Sequence, residues 1–377
     1  MRRHLKNFTI TALAAAGLLI PAASAHAARH MEIALQDDQV FLNQSWYNRD
    51  KAFQKAEELG VTRLRVNFVW SHEVTNPRRK HAPSNPGYNW WHFDNLIDTA
   101  AAHGMRVELT LTGPAPAWAT GNHRVGVYKP RASAYGKFVR DVARHFKGRV
   151  DRYSIWNEPN WKSWLTPHGS APHLYKLLYL SGYRAIKSAD PKAKVLIGET
   201  SPQARGRAGM APLTFLRKMV GHSHLYADGY AHHPYDYSHA PNKRSKGRQD
   251  VTLATLGRLT HELSVLRRKH RLRTRTGHVL PLYLNEYGYM VRGRFRLSSA
   301  RQAKYLRQGF SIAYHNPHVK SMLQYGLVSP PFKVNWDTSL LNSHGSPRRM
   351  FSALRSWVKH AAVAKAKPVA LPPAPAG

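Results

Sequence analysis

The chain has 377 residues, 42% of them apolar, with 10 Trp and 18 Tyr. A chain this apolar and aromatic is not disordered, and it is long enough for one large barrel or two ordinary domains. It holds no cysteine, which excludes thiolate catalysis, iron–sulfur clusters and cysteine-ligated zinc. Lys and Arg number 57 against 21 Asp and Glu, a net of +36. A surface of that sign draws polyanions: acidic wall polymers, uronic-acid glycans or anionic membranes outside a cell, nucleic acid inside it.

The first residues read as an export signal, 1–27. Residues 1–6 are basic, 8–20 are apolar, and Ala25-His26-Ala27 is a small-residue cleavage site. The apolar run is shorter than the roughly 20 residues that span a bilayer, so a membrane anchor is disfavoured. A secreted, extracellular protein is expected, and the lack of cysteine suits passage through an oxidising compartment.

From residue 31 onward, short strand patterns alternate with helix patterns. A strand over 31–35 precedes a helix over 50–59, closed by Gly60 as a C-cap glycine closes a helix. A second strand, 63–69, leads to a helix over 90–103 closed by Gly104, and a third strand covers 106–111. Tyr135, Phe138, Val139, Val142 and Phe146 stripe one face of a helix over 133–146. Strands over 151–156, 194–198, 228–232, 280–285 and 319–325 follow. Helices lie between them and over 349–360.

Eight strand–helix pairs predict a parallel sheet closed into a single-domain α/β (β/α)8 TIM barrel over 31–360. An open doubly wound sheet is the alternative. No Gly-rich phosphate loop follows an early strand, which disfavours a nucleotide-binding version. The tail, 361–377, is Ala, Pro and Lys without an apolar stripe and is expected to be disordered.

Two strands end in the same way. SIWNEPNW carries Asn157-Glu158 at the end of the fourth, and LYLNEYGY carries Asn285-Glu286 at the end of the seventh. In such a barrel the active site lies at the C-terminal ends of the strands. Two carboxylates across one cleft are the equipment for glycosidic cleavage: one protonates the leaving oxygen, the other attacks the anomeric carbon or activates water. Either glutamate alone is as readily a loop carboxylate in a surface ion pair; the repeated pattern argues against that.

Trp156-Asn157-Glu158-Pro159, with Glu286, resembles glycoside hydrolase clan A, the retaining (β/α)8 glycosidases. The resemblance implies Glu158 as acid/base, Glu286 as nucleophile, and Asn157 on the sugar 2-hydroxyl. Arg65 is similar to the clan's strand-two arginine beside the nucleophile, where a guanidinium favours the ionised carboxylate. Ala231-His232-His233-Pro234-Tyr235 resembles its His-x-Tyr, which puts His233 on substrate and Tyr235 on Glu286. Adjacent strand histidines face opposite ways, so His232 and His233 do not share a metal.

The clan usually has a tryptophan ending strand eight. This chain has Met322-Leu323-Gln324-Tyr325-Gly326, which leaves Tyr325, or Trp336 from the next loop, as the sugar platform. Trp118, Trp161 and Trp164 are further wall candidates, each also explicable by loop packing. Glu199 is a third carboxylate near the cleft, either paired with Arg205 or Arg207 or used on substrate, and Glu108 is assigned no role.

The resulting expectation is double displacement with net retention on a β-linked polysaccharide or oligosaccharide, with no metal or organic cofactor. The carbohydrate partner, an anionic glycan or cell-wall polymer, would suit the charge. A non-catalytic glycan-binding protein on the same scaffold is the alternative. Nothing in the chain resembles a nucleic-acid module.

Overall fold

The computed structural model describes residues 28, 30–203 and 208–375; the expected signal lies outside them. Eight parallel strands close a barrel in the order β1-β8-β7-β6-β5-β4-β3-β2. They are β1 (Glu32–Gln36), β2 (Arg63–Val69), β3 (Arg106–Thr112), β4 (Arg152–Ile155), β5 (Lys194–Thr200), β6 (Gly229–His232), β7 (Leu282–Leu284) and β8 (Val319–Tyr325). Closure removes both sheet edges, and it is what the expected (β/α)8 fold requires.

Around the barrel stand α1 (Arg49–Glu58), α2 (Trp91–Ala102), α3 (Ala132–His145), α4 (Ala171–Ala189), α5 (Pro212–Val220), α6 (Leu256–Arg268), α7 (Ser299–Tyr314) and α8 (Arg349–His360). Each buries an apolar stripe: in α3 the buried side chains are Tyr135, Phe138, Val139 and Val142. Among the described residues, no helix is long and apolar enough to cross a membrane.

Strand alternation sorts β2 into two roles. Leu64, Val66 and Phe68 are buried among the apolar side chains of the helix layer. Arg63 and Arg65 point into the barrel, where apolar branched residues usually fill the layers. Here the lower layers are a column of alternating charge. Arg63 meets Glu32 at 2.9 Å and Asp151 at 2.7 Å. Arg152 meets Glu32 at 2.7 Å and also pairs with Glu108. Asn285 Nδ2 donates to Glu108 at 2.6 Å and to Glu199 at 2.7 Å, which carries the network up to the strand ends. Buried charges persist only where each has partners of this kind.

From Ala361 to Pro372 the tail, expected from its composition to be disordered, runs without helix or strand against the N-terminal end of the barrel. His30 N–H donates to Ala362 C=O at 2.9 Å, Ala364 N–H donates to Met31 C=O at 3.0 Å, and Val363 is buried. Lys367 passes Gly104 and Pro372 passes Gly148, the bare turns after α2 and α3. Main-chain hydrogen bonds and close approach to glycine hold the segment without an apolar stripe, and composition does not report either.

Candidate active site

Arg65, near the middle of β2, is 1% exposed and reaches four partners. Its Nη1 donates to Glu286 Oε1 at 2.9 Å and to Gln36 Oε1. Its Nη2 donates to Asn157 Oδ1 at 2.8 Å and to Glu199 Oε2 at 3.0 Å. Strands β1, β2, β4, β5 and β7 are thus tied through one guanidinium. Because Asn157 Oδ1 is taken, its amide N–H groups are left for the cleft it lines.

Each oxygen of Glu286 has one donor: Arg65 on Oε1, and Tyr235 Oη on Oε2 at 3.2 Å. His233 Nδ1 lies 3.1 Å from Glu158 Oε1 and 3.7 Å from Glu286 Oε2. Those two oxygens are therefore no farther apart than the sum of the two distances. Its Nε2 lies 2.6 Å from Glu199 Oε2. Burial alone would discharge this imidazole, but the surrounding carboxylates, Glu286 foremost and then Glu158 and Glu199, outweigh it and raise its pKa to about 10. Burial raises Glu199 too, yet Arg65 and His233 bring it down to about 2.

For Glu286 the balance runs the other way. Burial pushes it above the ordinary carboxylate range, against the pull of His233 and Arg65, and Glu158 and Glu199 add to the push. Arg65 acts as expected on the nucleophile candidate but does not by itself decide the outcome.

The backbone is bent sharply where these groups leave their strands. Trp156 has φ 64°, Glu158 φ 38° and Glu199 φ 48°, all in the left-handed region that non-glycine residues enter at a cost. The Trp156 indole fits because Gly113 faces it: a Cβ there would lie 2.7 Å from the ring. Trp156 Nε1 donates to Trp164 C=O at 2.7 Å, which fixes the loop that carries the next aromatics.

Above the carboxylates opens a cleft of about 410 Å3. Glu158 and Glu286 form its floor; Trp161, Trp164, Tyr237, Tyr325 and Trp336 are among its walls. Trp336 is 39% exposed and meets Tyr235 edge-on at 5.1 Å. Polar floor and aromatic walls suit a sugar, whose hydroxyls need partners and whose apolar faces stack on rings.

Two site candidates lie elsewhere than expected. Trp118 is buried against Trp70, ring centroids 5.4 Å apart, and is not a cleft wall. The 3-10 turn Ala117–Ala119 directs its indole down into the aromatic layer between β2 and α3. His233 is fully buried and engages the three carboxylates instead of standing among the cleft walls. Its neighbour His232 faces the other way, bonded to Thr200 Oγ1 and Val251 C=O, each at 2.9 Å.

Glu199 pairs with Arg65 and His233, while Arg205 and Arg207 lie outside the described residues. Sequence reasoning passed over Asn67, Ser201 and Tyr237 in the cleft, and Gln36 and Ser154 beneath it. Strand alternation places Asn67 on the same face as Arg65, which was a usable signal. The others carry none. Among the described residues, no group of three or more His, Asp or Glu side chains could hold a metal ion.

Residues 24–203, somewhat under half the chain, match the family Glycosyl hydrolases family 39. The fold is similar to a family 39 glycoside hydrolase from Bacteroides cellulosilyticus WH2 (TM-score 0.64, 17% identity, 88% of this chain and 64% of that one). It is also similar to a monomeric β-xylosidase from Caulobacter crescentus CB15 (0.59, 18%, 87% and 67%). A third likeness is to xylanase 10B from Thermotoga petrophila RKU-1 (0.57, 17%, 88% and 97%). At these identities the structural likeness is one of fold, and the chain spans about two thirds of the length of the first two structures. The resemblance to the clan A barrels is shown by these matches together.

Proposed function

We propose that this clan A-like barrel is a secreted retaining glycoside hydrolase acting on β-linked, xylan-type polysaccharides or oligosaccharides. One arrangement carries the reading. Glu286 is held by Arg65 on one oxygen and Tyr235 on the other, while His233 Nδ1 bridges from it to Glu158. A carboxylate fixed at both oxygens presents a constant face to the cleft, as a nucleophile must.

In the first displacement Glu286 attacks the anomeric carbon and the bond to the leaving oxygen breaks. Glu158 gives its proton to that oxygen. In the second, Glu158 takes a proton from water, whose oxygen attacks the same carbon and expels Glu286 as a free carboxylate. Two inversions give net retention. Such enzymes keep their carboxyl groups roughly 5–5.5 Å apart. The cap that His233 sets on the distance between Glu158 Oε1 and Glu286 Oε2 accommodates this spacing. The cleft's aromatic walls and the matched β-xylosidase and xylanase structures support a pentose-based substrate. Secretion rests on the signal-like residues 1–27.

The test is product release from aryl β-xylosides, aryl β-glucosides and β-linked polysaccharides by the wild type beside Glu286→Gln, with the anomeric proton followed by NMR. Release of the β-anomer first, lost in the variant, is the expected result. Inversion, or equal release by the variant, would overturn the mechanism. Binding without turnover by the wild type would favour a non-catalytic glycan receptor.

A further inference from the structure

A second cavity, of about 350 Å3, lies between the loops that follow β7 and β8. Arg296, Arg348 and Arg349 line it, with Asn342, Ser346 and Ser299. In residues 287–298 and 326–349 there are six Lys and Arg residues and a single carboxylate, Asp337. That carboxylate is already committed. It is buried, with Arg292 Nε at 3.0 Å, Ser329 Oγ at 2.9 Å and its own neighbour Ser339 N–H at 3.1 Å. Arg348 donates to Ser329 Oγ at 3.0 Å, and its buried Nε has no hydrogen-bond partner among the described residues. Burial lowers the pKa of Arg348 against the pull of Asp337, and Arg292 and Arg296 add to the lowering. Three guanidiniums lining one cavity, with no carboxylate among its lining residues, suit an anion.

The same two loops form one wall of the main cleft. Val291 N–H donates to Asp337 C=O at 2.8 Å, and Arg292 donates to Phe332 C=O at 3.1 Å, so the two loops are tied together. Phe295, next to Arg296, packs on the cleft residue Tyr237 at 5.5 Å. Trp336, next to Asp337, is itself a cleft wall. Phe295 and Trp336 thus bring the loops that carry the arginines to the edge of the cleft.

We infer that this cavity is an oxyanion subsite, in which Arg296, Arg348 and Arg349 receive a carboxylate or sulfate borne by the glycan in the neighbouring cleft. The inference rests on the cleft's taking a glycan, as proposed above. It makes the preferred substrate an acidic polymer, and it gives part of the chain's positive charge a local purpose.

The test is affinity electrophoresis in gels of glucuronoxylan, a sulfated xylan and neutral arabinoxylan, which reads binding whether or not turnover occurs. Failure of every substrate to be cleaved would therefore sink the hydrolase reading and leave this one to be decided. The proteins compared are the wild type, Arg296→Gln/Arg349→Gln and Arg267→Gln/Arg268→Gln; the last pair lies on α6, remote from the cavity, and makes the same change of charge. Arg296 and Arg349 are both exposed, so their loss leaves the core intact.

The expected result is tighter wild-type binding to an acidic gel than to the neutral one, weakened about tenfold in the first variant and unchanged in the second. Loss on the carboxylated gel alone, or on the sulfated gel alone, identifies which anion is read. Equal binding to all three gels, an unaffected first variant, or equal weakening by the remote pair would overturn the inference. Inorganic phosphate or sulfate raising the unfolding midpoint through the same arginines, with no preference for acidic glycan, would also overturn it by showing a free-ion site.

Discussion

His233 Nε2 and Glu199 Oε2 are 2.6 Å apart, and neither side chain is exposed. The pair sits beneath both strand-end carboxylates of the cleft. Through it, Glu199 helps hold the positive charge of a group that reaches both Glu158 and Glu286. Removing the Glu199 charge should bring the His233 pKa down from about 10. In Glu199→Gln, ring-nitrogen NMR is expected to show neutral imidazole at a lower pH than in the wild type, and kcat to fall more than KM rises. An unchanged titration would deny Glu199 this positioning role.

Glu158 and Glu286 should fail differently when replaced. Glu158→Ala is expected to slow substrates with poor leaving groups by about 10²–10⁴-fold. Dinitrophenyl glycosides, which need no proton, should retain a much faster first step, and added azide should restore turnover as a β-glycosyl azide. Glu286→Gln should abolish turnover of both kinds, with no rescue that retains configuration. Steady-state rates on a leaving-group series separate the two patterns.

Trp336 is a wall residue with an exposed face, so its loss should cost binding and little else. Trp336→Ala is expected to raise KM for oligosaccharides by roughly 3–10-fold, the worth of one aromatic stack. The thermal midpoint should stay at the wild-type value. A fall in that midpoint would mean the ring supports the loop more than the sugar.

Gly198 has φ 113°, and a Cβ there would lie 2.6 Å from Ala231 C=O on β6. Both the backbone conformation and the space exclude a side chain at the end of β5. Gly198→Ala should lower stability by about 1–3 kcal/mol, measured by denaturant unfolding. Because Glu199 follows directly, activity should fall in the same variant even where it remains folded.

The column of buried ion pairs should produce a steep acid limb. Glu32, Asp151 and Glu199 each have pKa values lowered to about 2 by arginines, and by His233 for Glu199, in spite of burial. A carboxylate with a depressed folded pKa contributes stability above its unfolded value, and that contribution is lost as pH falls toward the folded one. Denaturant midpoints should therefore drop between about pH 4.5 and 2. Asp37 and Asp38, raised to about 6 and about 7 by burial, act in the opposite sense. They favour the fold as pH falls toward about 4, and so leave the lower window to the three depressed groups. Glu32→Gln should make the acid limb shallower and destabilise the protein at neutral pH, because Arg63 and Arg152 lose a shared partner.

Much of the architecture was legible before any coordinates. The second and eighth strands, 63–69 and 319–325, and the last helix, 349–360, occupy the spans their patterns mark. Apolar periodicity and closing glycines are local signals, and repeated burial of one face enforces them. The short helical turns Asp38–Phe41 and Trp70–Glu73 and the pairing of Leu225–Tyr226 with Leu272–Arg273 were not legible. They are too short to carry a period.

At the site, the Asn-Glu pairs and Arg65 could be read because each ends or occupies a strand whose pattern is plain. Trp118 could not be assigned: an indole in a Pro-rich loop has the same sequence signature whether it faces a sugar or Trp70. His233 was visible as a histidine at a strand end, but its three carboxylate partners arrive from strands 75, 34 and 53 residues away in the chain.

The sequence by itself determined the number and order of the strand–helix units and which carboxylates reach the C-terminal end of the barrel. Those follow from chain-local period and from the rule that parallel strands share one end. Only the tertiary structure decided which groups meet there: Glu199 with Arg65 and His233, Asn285 with Glu108, three arginines around one cavity. Such meetings depend on how strand register and barrel closure align side chains distant in sequence, and charge then settles only where closure has brought partners within a few ångströms.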